Sequence, residues 1–291
     1  MTAALAFQLA IAGISVGSIY ALAALAIVIP FKASGVLNFG QGEIVTLGAY
    51  SALILTQLAL PYPLVLAGVL VVGAVGGIAI ERLLIRPIVA APEFTLVIAT
   101  FAIGLLIKGV IALRYGESTA TIDGPFGYEP LVLGTLRVNP SSAWIFICTA
   151  AVTFGVVAFF RYARLGKAMR AVSINAEAAR LMGIRVATVY RWAWAISTAI
   201  GALAGLLIAP LVGVNPEIGH LILRGLLAAV IGGFTSISGA LIGGLAVGLI
   251  ETFSGVLVGT AFKNLVPFLL LMVLLVFRPH GLFGSADVKR V

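Results

Sequence analysis

Few side chains in this chain of 291 residues are suited to covalent or metal chemistry. Cys148 is the only cysteine, so no internal disulfide can form. His220 and His280 are the only histidines, which leaves no His/Cys set with metal-ligand spacing. Gly166-Lys167 is the sole Gly-Lys pair. It lacks the earlier glycine of a phosphate loop, and Ala168 stands where Ser or Thr should hold magnesium. No serine or cysteine has the partners of a nucleophilic triad, and the polar residues are scattered along the chain. The expectation is a protein with no catalytic site, no metal and no cofactor.

The informative polar residues lie beside apolar runs. Ser34-Gly35-Val36-Leu37-Asn38-Phe39-Gly40-Gln41-Gly42-Glu43 combines three glycines, an amide pair and a carboxylate next to a membrane-length run. Two readings stay open. It is an ordinary loop and helix start, with Glu43 near a positive dipole end. Or it is a broken segment lining a route, with Asn38, Gln41 and Glu43 exposed to what passes. Glu251 is the one acid deep in a late apolar run. It serves either as a hydrogen-bonding tie between helices or as part of the route, including proton uptake. Lys108, inside another run, either snorkels to the headgroups, the expected reading, or has a role in the pathway, and Arg224 could pair with an acid of an outer loop.

Residues 161–192 read RYARLGKAMRAVSINAEAARLMGIRVATVYRW. Arg161, Arg164, Lys167, Arg170, Arg180, Arg185 and Arg191 face a single acid, Glu177. Asn175 is a suitable N-cap, the residues from Ala176 to Met182 favour helix, and Gly183 is a natural stop. Ala178, Leu181 and Met182 then share one face at i, i+3 and i+4, and something must cover it. The open alternatives are a helix resting on the lipid surface and a docking helix for a cytosolic partner.

The elements that position these residues follow from composition. The chain is 62% hydrophobic and 10% charged, whereas soluble domains carry about 25% charged residues. Its runs are too long for the alternating strands of a barrel, so the fold class is an all-α integral membrane protein. Apolar runs fall at about residues 3–29, ended by Pro30, then 43–59, 64–80, 94–113, 143–160 and 192–212. A short, re-entrant or tilted piece follows at 221–234, then runs ending near 258 and 277. That is about nine crossings, within a range of eight to ten elements, in one domain spanning residues 1–291. Glu81, Arg82, Arg86, Pro87 and Glu93 read as an inner loop, and Lys263-Asn264 as an outer turn. The basic loop at 161–191 is cytoplasmic by the positive-inside rule, so the N-terminus is outside and the C-terminus, with Arg278, His280, Lys289 and Arg290, inside. Residues 114–142 then form a periplasmic loop, whose apolar piece at 130–136 suggests a small hairpin. The charge of +8 belongs to topology and lipid contact and not to nucleic acid, because no aromatic-rich basic surface accompanies it. Glycine pairs at 13/17, 73/77 and 201/205, and the set at 239, 243, 244 and 248, suit close helix packing. Asn38–Glu43 is faintly echoed by Asn215-Pro216-Glu217-Ile218-Gly219-His220. An inverted repeat would produce this, though identity so slight is more simply coincidence.

Glu177-Ala178-Ala179-Arg180-Leu181-Met182-Gly183 resembles the EAA-x-x-x-G loop of ABC-transporter permeases. The stretch SGVLNFGQGEIVTLGAY at 34–50 resembles the N-terminal signature of branched-chain amino-acid permeases of the LivH type. Gly166-Lys167-Ala168-Met169-Arg170-Ala171-Val172 and the glycine-rich stretch at 231–244 resemble that family too. The resemblance implies the permease subunit of a binding-protein-dependent importer in the bacterial cytoplasmic membrane. Its implied partners are a second, LivM-like permease, two cytosolic ATPase subunits and a periplasmic substrate-binding protein. It also implies that Glu177, Ala178, Ala179 and Gly183 couple to the ATPase. Gln41 stands where many relatives have His, and Gly40 where many have Ala. Relatives also carry urea, short amides and aromatic acids, and those substrates remain an alternative. A proton-linked secondary carrier using Glu43 or Glu251 is the rival from outside the family.

Overall fold

The computed structural model describes residues 3–127, 131–133, 136–263 and 265–284. The chain is a bundle of helices: α1 (Ala3–Ser34), α2 (Gln41–Gln57), α3 (Tyr62–Ile88), α4 (Glu93–Tyr115), α5 (Pro140–Tyr162), α6 (Arg164–Ile174), α7 (Ala176–Leu181), α8 (Val186–Val212), α9 (Leu221–Gly232), α10 (Ile237–Leu257) and α11 (Leu265–Phe277). Among the described residues, six of these are long and apolar enough to cross a membrane: α1, α3, α4, α5, α8 and α10. The shorter α2, α9 and α11 have 17, 12 and 13 residues. A span needs about 20 residues, so α9 on its own reaches only part of the way, as its length in the sequence suggests. The expected small hairpin is present as β1 (Leu131–Leu133) paired antiparallel with β2 (Leu136–Val138). Pro130, Asn264, Lys289 and Arg290 lie outside the described residues.

The centre is α1, whose residues from Ile19 to Ile29 are almost wholly buried. α10 lies against it, α8 on a second side, and α9 fills the angle between α1 and α10. The glycine sets make these approaches possible. A Cβ on Gly248 would lie 2.3 Å from the Gly17 Cα, and one on Gly244 would lie 2.4 Å from the Ala21 Cα. Gly73 and Gly77 of α3 meet Thr198 and Trp194 of α8, and Gly205 of α8 meets Val45 and Ala49 of α2. With no Cβ at the contact, backbones approach closely and dispersion and weak polar contacts hold the pair.

Three boundaries differ from the sequence expectation. Pro30 does not end the first helix, which continues to Ser34. A proline removes the bond to the carbonyl four residues earlier, here Ala26. The Ser197 hydroxyl of α8 donates to that carbonyl at 2.5 Å, so the gap costs no unsatisfied group. The charged stretch from Glu81 to Arg86 is also helical, through a π-helical turn at Glu81–Ile85. It is no loop, because Glu81 and Ile85 turn inward, each 1% exposed. Arg82, Arg86 and Arg191 surround the Glu81 carboxylate with positive charge. Finally, α8 begins at Val186 and not near Trp192, because Val186 and Val189 already bury against the body of the protein.

Candidate functional site

The broken stretch after α1 and the stretch before α9 meet in the middle of the bundle. Asn38 and Gln41 are buried, at 2% and 0% exposure. Gln41 Oε1 accepts from Asn38 Nδ2 at 2.8 Å, and its Nε2 donates to the Ser197 carbonyl at 3.3 Å. The Gly40 amide donates to Asn38 Oδ1, and the Phe39 amide to Thr100 Oγ1 of α4. Side chains thus satisfy backbone that has left the helix, which a non-aqueous setting requires. Gly40 rests on Thr100 and on Gly104, the central residue of α4. The start of α2 therefore lies at mid-depth.

The partner stretch is a 3₁₀ turn, Pro216–His220, capped by Asn215, whose Oδ1 accepts from the Glu217 amide at 2.9 Å. Gly42 packs against the Gly219 carbonyl and Ile222. The two helices that start here run apart. α2 is parallel to α8, since Gln41 meets Gly201 and Val45 meets Gly205. α9 is antiparallel to α10, through Ala228–Gly243 and Gly232–Gly239, and α10 is antiparallel to α1. The positive dipole ends of two oppositely directed half-helices are brought together at one level.

Charged side chains gather at that junction. Glu43 is half-buried, and its Oε2 is screened from solvent without a hydrogen-bond partner. Lys108, His220 and Glu217 are close enough to act on it electrostatically. Lys108 Nζ pairs with Glu217 Oε1 at 2.8 Å, while Glu217 Oε2 contacts His220 Nε2. Such an arrangement can bind a small zwitterion, offering amide dipoles to its carboxylate and acids to its ammonium.

Glu251 belongs to a different group. Its Oε2 accepts from the Tyr20 hydroxyl at 2.7 Å and from Arg224 Nε at 3.1 Å, and Lys263 Nζ lies 3.6 Å from Oε1. Arg224 thus meets Glu251 within the bundle. The four side chains tie α1, α9 and α10 together with the turn that follows α10.

The α7 helix forms as its sequence suggests. Asn175 Oδ1 accepts from the amides of Glu177 and Ala178 at 3.0 and 2.9 Å. At the other end Gly183 has φ +83°, Ile184 N donates to the Ala179 carbonyl and Gly183 N to the Arg180 carbonyl. This pair of bonds is a Schellman stop. Ala179 buries against the protein, whereas Leu181 and Met182 are 85% and 83% exposed. Glu177, Ala178 and Gly183 are exposed as well.

The family profile described as branched-chain amino acid transport system, permease component, matches residues 9–275. The chain belongs to that permease family. The high-affinity branched-chain amino acid transport system permease protein LivH of Salmonella typhimurium is 30% identical, with 96% of each chain covered. BraD of Pseudomonas aeruginosa, named as a permease protein of the same kind, is 31% identical over 96% of each. A probable branched-chain amino acid transport permease protein LivH of Methanocaldococcus jannaschii is 31% identical, covering 93% of this chain and 90% of its own. No solved structure matches. This permease is a multi-pass membrane protein.

Within the permease, the structure joins Asn38, Gln41 and Glu43 in one site and puts Glu251 in another group of contacts. Ser197, Thr100, Glu217 and His220 were not read from the sequence as parts of that site. The signal for the last two was the echo between residues 38–43 and 215–220, whose two copies touch.

Proposed function

We propose that the chain is the membrane-spanning subunit of a binding-protein-dependent ABC importer for branched-chain or related amino acids in the bacterial inner membrane. Its N-terminus is outside and its C-terminus inside; residues 161–191 form the cytoplasmic coupling loop and residues 114–142 the periplasmic one. A LivM-like second permease completes the path, two cytosolic ATPase subunits drive it, and a periplasmic binding protein delivers substrate. The observation that carries this reading is α7 itself, capped at both ends yet presenting Leu181 and Met182 uncovered within a chain of the permease family. Glu177, Ala178, Ala179 and Gly183 shape the docking unit: Ala179 seats it, Gly183 stops it, and Glu177 and Ala178 face the motor. Glu43 lines the path, while Asn38 and Gln41, buried and bonded to each other, hold the broken segment that presents it. The joined helix starts receive the substrate carboxylate, and the partnerless oxygen of Glu43 its ammonium. Glu251 shapes the path by fixing α9.

The test is uptake by vesicles containing the complete transporter, paired with ATPase co-purification. Glu177→Lys is expected to abolish ATP-driven uptake and weaken ATPase retention while membrane insertion stays normal. Unchanged uptake would remove the docking role. Uptake that collapses with the proton gradient at constant ATP would favour the secondary carrier.

A further inference from the structure

On the face that carries α6 and α7, a cavity of about 430 Å³ opens between the ends of α1 and α5, α6 and the start of α10. Lys32, Arg161 and Arg170 line it, and among the described residues no carboxylate does. Lys32 is half-buried and its Nζ donates to the Thr235 carbonyl at 2.9 Å. An ammonium has three donors, and no other acceptor takes one from Lys32 among the described residues. The charge acting on it is the like charge of Arg170. The first turn of α10 adds to the positive field, with Ser236 as its cap and at the cavity wall. Cations held this way repel one another until an anion enters.

The remaining wall indicates what kind of anion. Val157 and Phe160 of α5 complete the cavity, and Val157 and Phe154 are 37% and 76% exposed on the apolar outer face of that helix. Tyr162, 69% exposed with the Arg161 guanidinium over its ring, sits beside them as interfacial aromatics do. The cavity therefore lies where a hydrocarbon-facing surface passes into a basic one. A soluble phosphate would use only the second; a phospholipid uses both. We propose that this cavity binds the phosphate-bearing headgroup of an anionic phospholipid, with its acyl chains along α5. An adjoining cavity of about 730 Å³ shares Lys32 and Arg170 and extends to Asn175 and Tyr190. The bound lipid thus anchors α6, the segment that leads into α7.

The experiment uses the full-length chain and a double variant, Arg161→Gln with Arg170→Gln. Both side chains are exposed, so folding is expected to survive. Protein is equilibrated in vesicles of phosphatidylcholine with or without phosphatidylglycerol, exchanged into detergent, and the retained lipid measured by mass spectrometry. The parent chain is expected to retain phosphatidylglycerol over phosphatidylcholine and to gain melting temperature from it, but not from inorganic phosphate. Each basic residue near an anionic surface contributes roughly a factor of five, so the double variant is expected to lose about twenty-five-fold in retention. Equal retention by both proteins, no preference between the lipids, or an equal response to inorganic phosphate would overturn the lipid site.

Discussion

Glu43 and Glu251 are both acids within apolar helical surroundings, and the protein treats them in opposite ways. Glu251 is 4% exposed and meets a tyrosine, an arginine and a lysine, so its charge is matched on both oxygens. Glu43 stands at a helix start, near charges that already have other partners, and keeps one oxygen without a hydrogen bond. A buried carboxylate with all its contacts made has little left to offer a ligand. One whose contacts are incomplete is costly to hold and is retained where something else is to complete it. On the function proposed above, the pair separates a residue that holds helices from one whose open oxygen is left for the substrate.

The comparison can be broken most directly at Glu251. Glu251→Ala removes the acceptor shared by Tyr20 and Arg224, and the expected loss of stability is about 3–5 kcal/mol. Thermal unfolding of the detergent-solubilised protein checks it, and an unchanged melting temperature would place Glu251 on the route instead. Next in size is a contrast of two glycines. In Gly248→Ala the new Cβ meets α1 backbone at 2.3 Å, with an expected cost of about 1–3 kcal/mol. In Gly219→Ala it meets the Glu43 carboxylate oxygen at 2.9 Å, which can move. That variant should therefore fold normally yet lose uptake. Glu43→Gln sharpens the same point. Its melting temperature is expected to hold, while uptake falls on the order of tenfold, equivalent to about 1.4 kcal/mol of substrate interaction.

The smallest effect concerns Lys108 and Glu217. Both side chains keep some exposure, 30% for Lys108 and 60% for Glu217, so Lys108→Met is expected to cost only about 0–1 kcal/mol. Thermal unfolding of the solubilised protein checks it, and a loss as large as that of Glu251→Ala would make this pair a helix tie as well.

Much of this arrangement was legible beforehand because its causes are local. Asn175 and Gly183 delimit α7 through bonds to their own neighbourhood, and their residue types announce it. The glycine spacings likewise mark faces of close approach, although they do not name the facing helix. Pro30 and the run from Glu81 to Arg86 misled for the converse reason. Their fate depends on Ser197 and on burial against α8, partners far away in sequence. The partner of Lys108 was hidden for the same reason, since only the fold brings Glu217 beside it. The echo between residues 38–43 and 215–220 was visible, but its weight comes from the contact of Gly42 with Gly219, which sequence identity does not measure.

The proline within α1 leaves one further mark on how the protein works. A helix with a missing rung flexes there more easily than elsewhere, and here the vacant carbonyl is latched by a hydroxyl from α8. The carbonyl of the same Ser197 accepts from Gln41 Nε2 at 3.3 Å. A single small residue is thus shared by the joint in the central helix and by the lip of the site. If α8 is moved from the α7 end, as the coupling proposed above requires, it tugs on both at once, and bending the central pillar and reshaping the junction become one stroke.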